Sequence, residues 1–341
     1  MAIITLSRSA LHYNLDQIKT IIPLSKLSVV LKDNAYGHGL YPMAEMCREY
    51  GVKKAGVRSV EEAEKISSLF EMILVLGEVP EGEVASHIHI TINCIEDLSC
   101  VKSGSSIHLK IDTGMHRHGI MESEIERALS LIQERKLHLV GVMSHARSSD
   151  ELSSETYWQL ENFRRVQKRI KLLIEKLEMK MPIFHFANSA TLLRYKESAS
   201  FDMVRIGIAM YGYSEMDELF SPLPLKSVLS LWGDKIRSFD AVENMRIGYG
   251  GSSVIKESTT LSSYDVGYSD GIFRLAPEKE FCLDRGEKII GKISMDSFVI
   301  EGSADQVLVI GDALRWSVHL NTISYEILVK LMPHIKRVID S

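Results

Sequence analysis

The sequence has little that would mark a secreted, membrane or nucleic-acid-binding protein. Only four cysteines occur in 341 residues (Cys47, Cys94, Cys100 and Cys282), and no two are spaced as a zinc site or redox motif requires. Reduced thiols in the cytosol are the expectation. No uninterrupted apolar run approaches the roughly 18 residues needed to cross a bilayer. The opening Met1-Ala2-Ile3-Ile4-Thr5-Leu6-Ser7-Arg8 lacks a cationic segment followed by a long apolar core, so no signal peptide is predicted. Blocks of like charge are also missing. With a formal net charge of −5, nothing argues for a nucleic-acid or anionic-membrane partner. No cluster of cation ligands suggests a metal, and no repeat or low-complexity linker appears. What is present, 45% hydrophobic and 25% charged residues, suits a soluble cytoplasmic protein with one large domain and one smaller.

The first two thirds alternate short β-branched runs with amphipathic stretches. Strands are predicted at 27–32, 55–58, 73–76, 89–93, 107–111, 139–144, 183–186 and 203–206, and helices at 11–22, 60–69, 122–135 and 155–177. Such alternation implies parallel strands, and this many units favour a (β/α)8 TIM-like barrel over an open sheet. The texture changes near Leu225. Short alternating segments at 227–231, 259–266, 288–293 and 306–310, punctuated by Gly248, Gly250, Gly251, Gly286 and Gly311, predict a C-terminal mainly-β domain. The fold class is therefore α/β, with a barrel over 10–225 and a β domain over 226–341 that takes in the strand 1–9.

Barrel enzymes gather their chemistry at the C-terminal strand ends. Lys32, Lys110, His145, Asn188 with Ser189, and Arg205 all fall at or near such ends. One lysine ending one apolar strand is usually a solvated charge. Five polar positions at five strand ends are better explained by a shared polar cavity, because charge buried without partners is costly. A desolvated lysine can form Schiff bases with carbonyls. An arginine can hold a planar acceptor or a phosphate.

These positions lie in recognisable motifs. Val30-Leu31-Lys32-Asp33-Asn34-Ala35-Tyr36-Gly37-His38-Gly39 closely resembles the lysine signature of alanine racemases, which use pyridoxal 5'-phosphate (PLP). The run Leu109-Lys110-Ile111-Asp112-Thr113-Gly114-Met115-His116-Arg117-His118-Gly119 is similar to the family's second motif. Phe186-Ala187-Asn188-Ser189-Ala190 and the segment from Met203 to Gly212 resemble the third and fourth. Gly248-Tyr249-Gly250, Gly267-Tyr268-Ser269-Asp270-Gly271, Ser294-Met295-Asp296 and Ile323-Ser324-Tyr325-Glu326 then follow in the family's order, so the resemblance covers nearly the whole chain.

The resemblance implies a cytoplasmic homodimer with shared active sites, each joining one barrel to the partner's β domain, and a role supplying D-alanine for peptidoglycan. It implies that Lys32 holds PLP as an internal aldimine and serves as one base. Tyr249 from the other subunit serves as the second, linked through His145 to Arg205. It places Arg205 against the pyridine nitrogen, where most PLP enzymes have a carboxylate. Phosphate binding falls to Tyr36, Ser189, Gly207, Ile208 and Tyr325, with Asn188 also on the cofactor. Arg117 and the partner's Met295 take the substrate carboxylate. Lys110 matches a position carbamylated in many relatives, Tyr268 with Tyr325 narrows the entrance, and Asp150 and Arg274 belong to the access corridor.

The chain departs from the pattern at Arg147, Lys292 and Ser294, and in its ending Ile335-Lys336-Arg337-Val338-Ile339. These departures bear on substrate preference rather than chemistry. An amino-acid decarboxylase of related barrel type would place a carboxylate where Arg205 falls, and a broader racemase would need a wider entrance. A PLP-carrier protein would lack the residues beyond Leu225.

Overall fold

The computed structural model describes residues 2–220, 223–275 and 280–340. By contacts the chain divides into two compact units, one of His12–Asp33 and Met43–Leu225, the other of Met1–Leu11, Asn34–Pro42 and Lys226–Ser341.

The first unit is a barrel. Eight parallel strands follow one another in space: β2 (Leu27–Val30), β3 (Lys54–Val57), β4 (Met72–Val75), β5 (Ile88–Ile92), β6 (Ser106–Lys110), β7 (His138–Met143) and β8 (Ile183–His185), with β9 (Val204–Ile206) paired to β2. Two backbone bonds outside the ladders draw β9 to β8: Asp202 N donates to Phe184 O at 3.0 Å, and Arg205 N to Ala187 O at 3.0 Å. Strands such as Leu27-Ser28-Val29-Val30 and Met72-Ile73-Leu74-Val75 are buried at every position, as a parallel sheet covered on both faces requires. All eight barrel strands arise where apolar β-branched runs predict them. Glu155–Lys176, the longest helix among the described residues, buries Leu160, Phe163, Val166, Ile170 and Ile174 at helical spacing.

The second unit is built on strands. It joins β1 (Ile3–Ser7), β10 (Leu229–Ala241), β13 (Thr259–Tyr264), β14 (Phe298–Glu301), β15 (Gln306–Ile310) and β16 (Lys336–Asp340); the ribbon β11 (Arg246–Ile247) and β12 (Ser253–Val254) stands apart. β1 pairs antiparallel with β10 and parallel with β16. The segment 288–293 is not the strand its alternation predicts. With Gly286 ahead of it and Gly291 inside it, both at positive φ, it makes only isolated bridges, Cys282 to Lys288 and Ile289 to Ile300.

After Lys32 the backbone reverses hand. Asp33, Asn34, Ala35 and Tyr36 hold φ between +52° and +55°, one turn of left-handed helix. L-residues resist this conformation by roughly 1–2 kcal/mol each, Asn and Asp least. Local bonds stabilise the turn: Asn34 O accepts from Gly39 N and Asn34 Oδ1 from Leu40 N, both at 2.9 Å, and Arg337 Nη2 donates to Gly37 O at 2.9 Å. Gly37 ends it at φ +80°, where an added Cβ would lie 1.9 Å from Leu328 O. Gly37→Ala is therefore expected to lower the unfolding free energy by about 3 kcal/mol or more in urea denaturation. Gly82→Ala, with nothing within 4 Å of the new methyl, should lower it far less.

Candidate active site

β9 carries Arg205 into the barrel interior, where it is 4% exposed. Among the described residues its guanidinium meets no carboxylate. Nη1 donates to His185 Nδ1 at 2.6 Å and His185 O at 3.3 Å, and Nη2 to Ser144 O at 2.7 Å and Phe186 O at 3.2 Å. Asp202, three residues before it in the chain, instead accepts from Phe184 N at 2.7 Å. Burial lowers the Arg205 pKa to about 10, which still leaves a full charge at neutral pH.

Other cations share the neighbourhood. Lys110 closes β6, half-buried, with Nζ 3.5 Å from Asn93 Oδ1. Burial is the first cause that moves its pKa down to about 8; the charges of Arg117, Arg205 and Lys32 act the same way, and Asp112 opposes them. His145, just past β7, is pushed down to about 3, by burial first and then by Arg205, Lys110, Arg117 and Lys32. One imidazole that feels all four charges places Lys32, Lys110, Arg117 and Arg205 around a single region. Arg117 is exposed on a loop folded by Asp112, whose Oδ1 accepts from the backbone N of Gly114, Met115 and His116 at 2.9, 3.0 and 3.1 Å. Arg147 fastens the same loop: Nη1 donates to Gly114 O at 2.8 Å while Nη2 pairs with Glu155.

Across the barrel, Ser189 Oγ accepts from Gly207 N at 3.1 Å and Ala209 N at 3.4 Å, at the start of the short turn Ile208–Tyr211. Amides converging on one oxygen also suit an anion. Asn188 caps the adjoining helix, its Oδ1 accepting from Thr191 N at 2.8 Å. Asp150 lines an acidic groove with Glu151, Leu152, Glu215, Met216 and Asp217.

In the second unit, Tyr36 and Tyr325 have ring centroids 5.8 Å apart. Tyr268 N donates to Ser294 O at 3.1 Å and Ser269 N to Met295 O at 2.8 Å, so the two turns lie backbone to backbone. A Cβ on Gly267 would fall 2.2 Å from Met295 O, which is why glycine stands there. Tyr249, at 64%, and Met295, at 59%, are exposed, as is Arg274. Reasoning from sequence missed His89, His108 and His185, which line up behind Arg205. The available signal was histidine at inward positions of β5, β6 and β8, with glycine at Gly141 between them.

A parallel barrel whose strand ends gather cations, opposed at Lys110 by Asp112, accompanied by a β unit with exposed tyrosine and methionine turns, is the build of an α/β-barrel enzyme. The alanine racemase N-terminal domain family matches residues 6–215, and the alanine racemase C-terminal domain family matches 234–339. A curated alanine racemase from Nitratiruptor sp. is 44% identical over 338 residues, covering 99% of each chain. The crystal structure of alanine racemase from Bacillus anthracis with bound L-Ala-P aligns at a TM-score of 0.88 and 26% identity, covering 100% of this chain and 95% of that one. A histidine racemase from Leuconostoc mesenteroides shares the fold at a TM-score of 0.87 and 23% identity, covering 100% and 98%. The chain belongs to the alanine racemase family. No helix among the described residues is long and apolar enough to cross a membrane.

The neutral histidines of the barrel make stability depend on acid. His89 is lowered to about 4 and His145 to about 3, burial being the first cause in each. Unfolded, both would titrate near 6.5. Below that value the unfolded chain binds more protons, so stability present above pH ~6.5 is lost as pH falls toward 4. Denaturant titrations should show the unfolding free energy falling by at least about 1 kcal/mol per pH unit between roughly pH 6 and 4.

Proposed function

We propose that the chain interconverts L- and D-alanine with PLP bound in the barrel, as a cytoplasmic homodimer whose sites each pair one barrel with the partner's β domain. Supply of D-alanine for peptidoglycan is the role that goes with this activity. The observation that carries the reading is the excess of cations acting on His145, from Lys32, Lys110, Arg117 and Arg205, with Asp112 opposing them at Lys110. That donor set fits a ligand with a phosphate and a substrate with a carboxylate. The amides of Gly207, Ile208 and Ala209 and the hydroxyls of Ser189, Tyr36 and Tyr325 would hold the phosphate, with Asn188 beside them. Lys32 would hold the cofactor covalently. When bound, PLP supplies an electron sink for negative charge at the substrate Cα.

The chain's own residues do the rest. Racemisation needs a proton removed from one face of Cα and another delivered to the opposite face. Lys32 Nζ serves one face, and Tyr249 Oη from the partner serves the other. A phenol is ordinarily protonated up to about pH 10, so Tyr249 needs a proton acceptor beside it; the neutral His145, held so by burial and by Arg205, supplies one. Arg205 would face the pyridine nitrogen of the bound cofactor, and a guanidinium has no proton-accepting site. It therefore leaves negative charge at Cα less delocalised, which favours return of the proton there. Arg117 and the backbone amide of the partner's Met295 bind the carboxylate. Lys110, with its pKa moved to about 8, has a neutral fraction at pH 7 whose nitrogen can bond to the carbon of carbon dioxide and release a proton to solvent, and the resulting carbamate would orient Arg117. Tyr268 with Tyr325 restricts the entrance to a methyl side chain, and Asp150, Arg274, Arg147 and Lys292 set charge along the access corridor. The exposure of Tyr249 and Met295 in a single chain supports a site completed by a partner.

Wild type should be yellow and racemise alanine, while Lys32→Ala should lose the visible band and about 10²–10⁴-fold of the rate. Yellow protein that leaves alanine untouched would retain the cofactor and discard the substrate. Tyr249→Phe should keep the colour and lose comparable rate. Mixing the two inactive variants tests the shared site, because a mixed dimer contains one intact Lys32/Tyr249 pair only if each site draws on both subunits. No recovered activity would remove that part of the proposal. Intact mass should show one added carbon dioxide on the peptide containing Lys110.

A further inference from the structure

Behind Arg205, inside the barrel, three imidazoles stand in line. His185 Nδ1 is 2.6 Å from Arg205 Nη1, His185 Nε2 is 2.8 Å from His108 Nδ1, and His108 Nε2 is 3.0 Å from His89 Nδ1. The side chains come from β9, β8, β6 and β5 in turn. His108 reaches past β7 because Gly141 lies at the crossing, where a Cβ would be 2.3 Å from His108 Nδ1. His108 and His185 are fully buried, and His89 is half-buried near the N-terminal end of its strand.

Counting donors assigns every proton in this line. A guanidinium only donates. The His185 nitrogen facing it is therefore the bare one, and the ring's proton sits on Nε2. That N–H donates to His108 Nδ1, bare in turn, and His108 Nε2–H donates to His89 Nδ1. All three rings are neutral Nε2–H tautomers, with a polarity set by the arginine. Protonating any ring would remove an acceptor and place a second cation near Arg205. Burial is the first cause lowering each histidine, and the fixed charge of Arg205 acts in the same direction on His108 and His185.

We propose that His185, His108 and His89 are positioning residues for racemisation, a tautomer-locked line that fixes the Arg205 guanidinium plane while leaving its charge unneutralised. This rests on the reading of Arg205 as the partner of the pyridine nitrogen. A carboxylate in the place of His185 would hold the arginine equally well but would cancel its charge. A neutral imidazole accepts the bond without cancelling it, and aligned N–H dipoles along the line strengthen that acceptor.

The test uses the 15N-labelled holoenzyme and its imidazole two-bond 1H–15N correlations, with signals assigned by substitution. His89, His108 and His185 should each be Nε2–H tautomers that stay neutral through the pH range in which an ordinary imidazole takes up its second proton. His108→Leu removes the middle of the line. His185 should then show mixed tautomers, and kcat should fall about 10–100-fold, the scale of a misplaced catalytic group, with alanine KM changed far less. His108→Gln, whose amide can both accept and donate, should recover most of the rate and the single His185 tautomer. Melting temperatures of both variants separate this from packing, since a filler residue would shift Tm while leaving kcat per folded molecule and the His185 tautomer unchanged. An Nδ1–H tautomer at His185 in wild type, or wild-type kcat in folded His108→Leu, would overturn the proposal. Should either variant fail to fold, the wild-type tautomers still decide. If wild type does not racemise alanine, the tautomer assignment stands or falls alone, and only the catalytic reading is lost.

Discussion

The barrel is organised around a buried guanidinium that meets no carboxylate among the described residues. Desolvating such an ion costs several kcal/mol unless its donors are met. Arg205 meets that cost with carbonyls from the ends of β7 and β8 and with one bare imidazole nitrogen. The same bonds tie consecutive strand ends to β9, close to where Arg205 N and Asp202 N join β9 to the flank of β8. Structure and electrostatics therefore share atoms: the contacts that close the barrel also hold a positive charge at its centre. Lys110 and His145 take their lowered pKa values partly from that charge.

A second constraint lies in the chain just after Lys32. Four consecutive left-handed residues are locally unfavourable, and they persist because Asn34, Gly37 and Arg337 supply bonds that a right-handed turn would not meet. Strain held by surrounding structure is a common mark of functional backbone. In the same unit, the turns of Tyr268 and Met295 are locked to each other through backbone bonds and the missing side chain of Gly267. Residues proposed to work in a partner's site are thus set rigidly on an exposed face.

Much of this was legible in the chain. Apolar β-branched runs located the eight barrel strands because a strand buried on both faces leaves an unbroken apolar signature. Lys32, Lys110, His145, Ser189 and Arg205 stood out as polar residues interrupting those runs. The segment 288–293 misled because alternation marks a strand only where a ladder can continue, and here, with Gly291 at positive φ inside it, pairing stops at single bridges to Cys282 and Ile300. The left-handed turn left a fainter trace, Asn34 followed by Gly37 and Gly39, residues tolerant of positive φ.

The sequence by itself determined the fold class, the strand positions and which side chains could carry charge into the barrel, since hydrophobic period and residue type are local properties. Only the tertiary structure decided that Arg205 has neutral partners rather than Asp202, that four cations act on one histidine, and that His89, His108 and His185 join into a line. Those facts depend on distances between residues far apart in the chain, 77 positions in the case of His108 and His185. Hydrogen-bond polarity and charge coupling exist only once folding has brought such groups within reach.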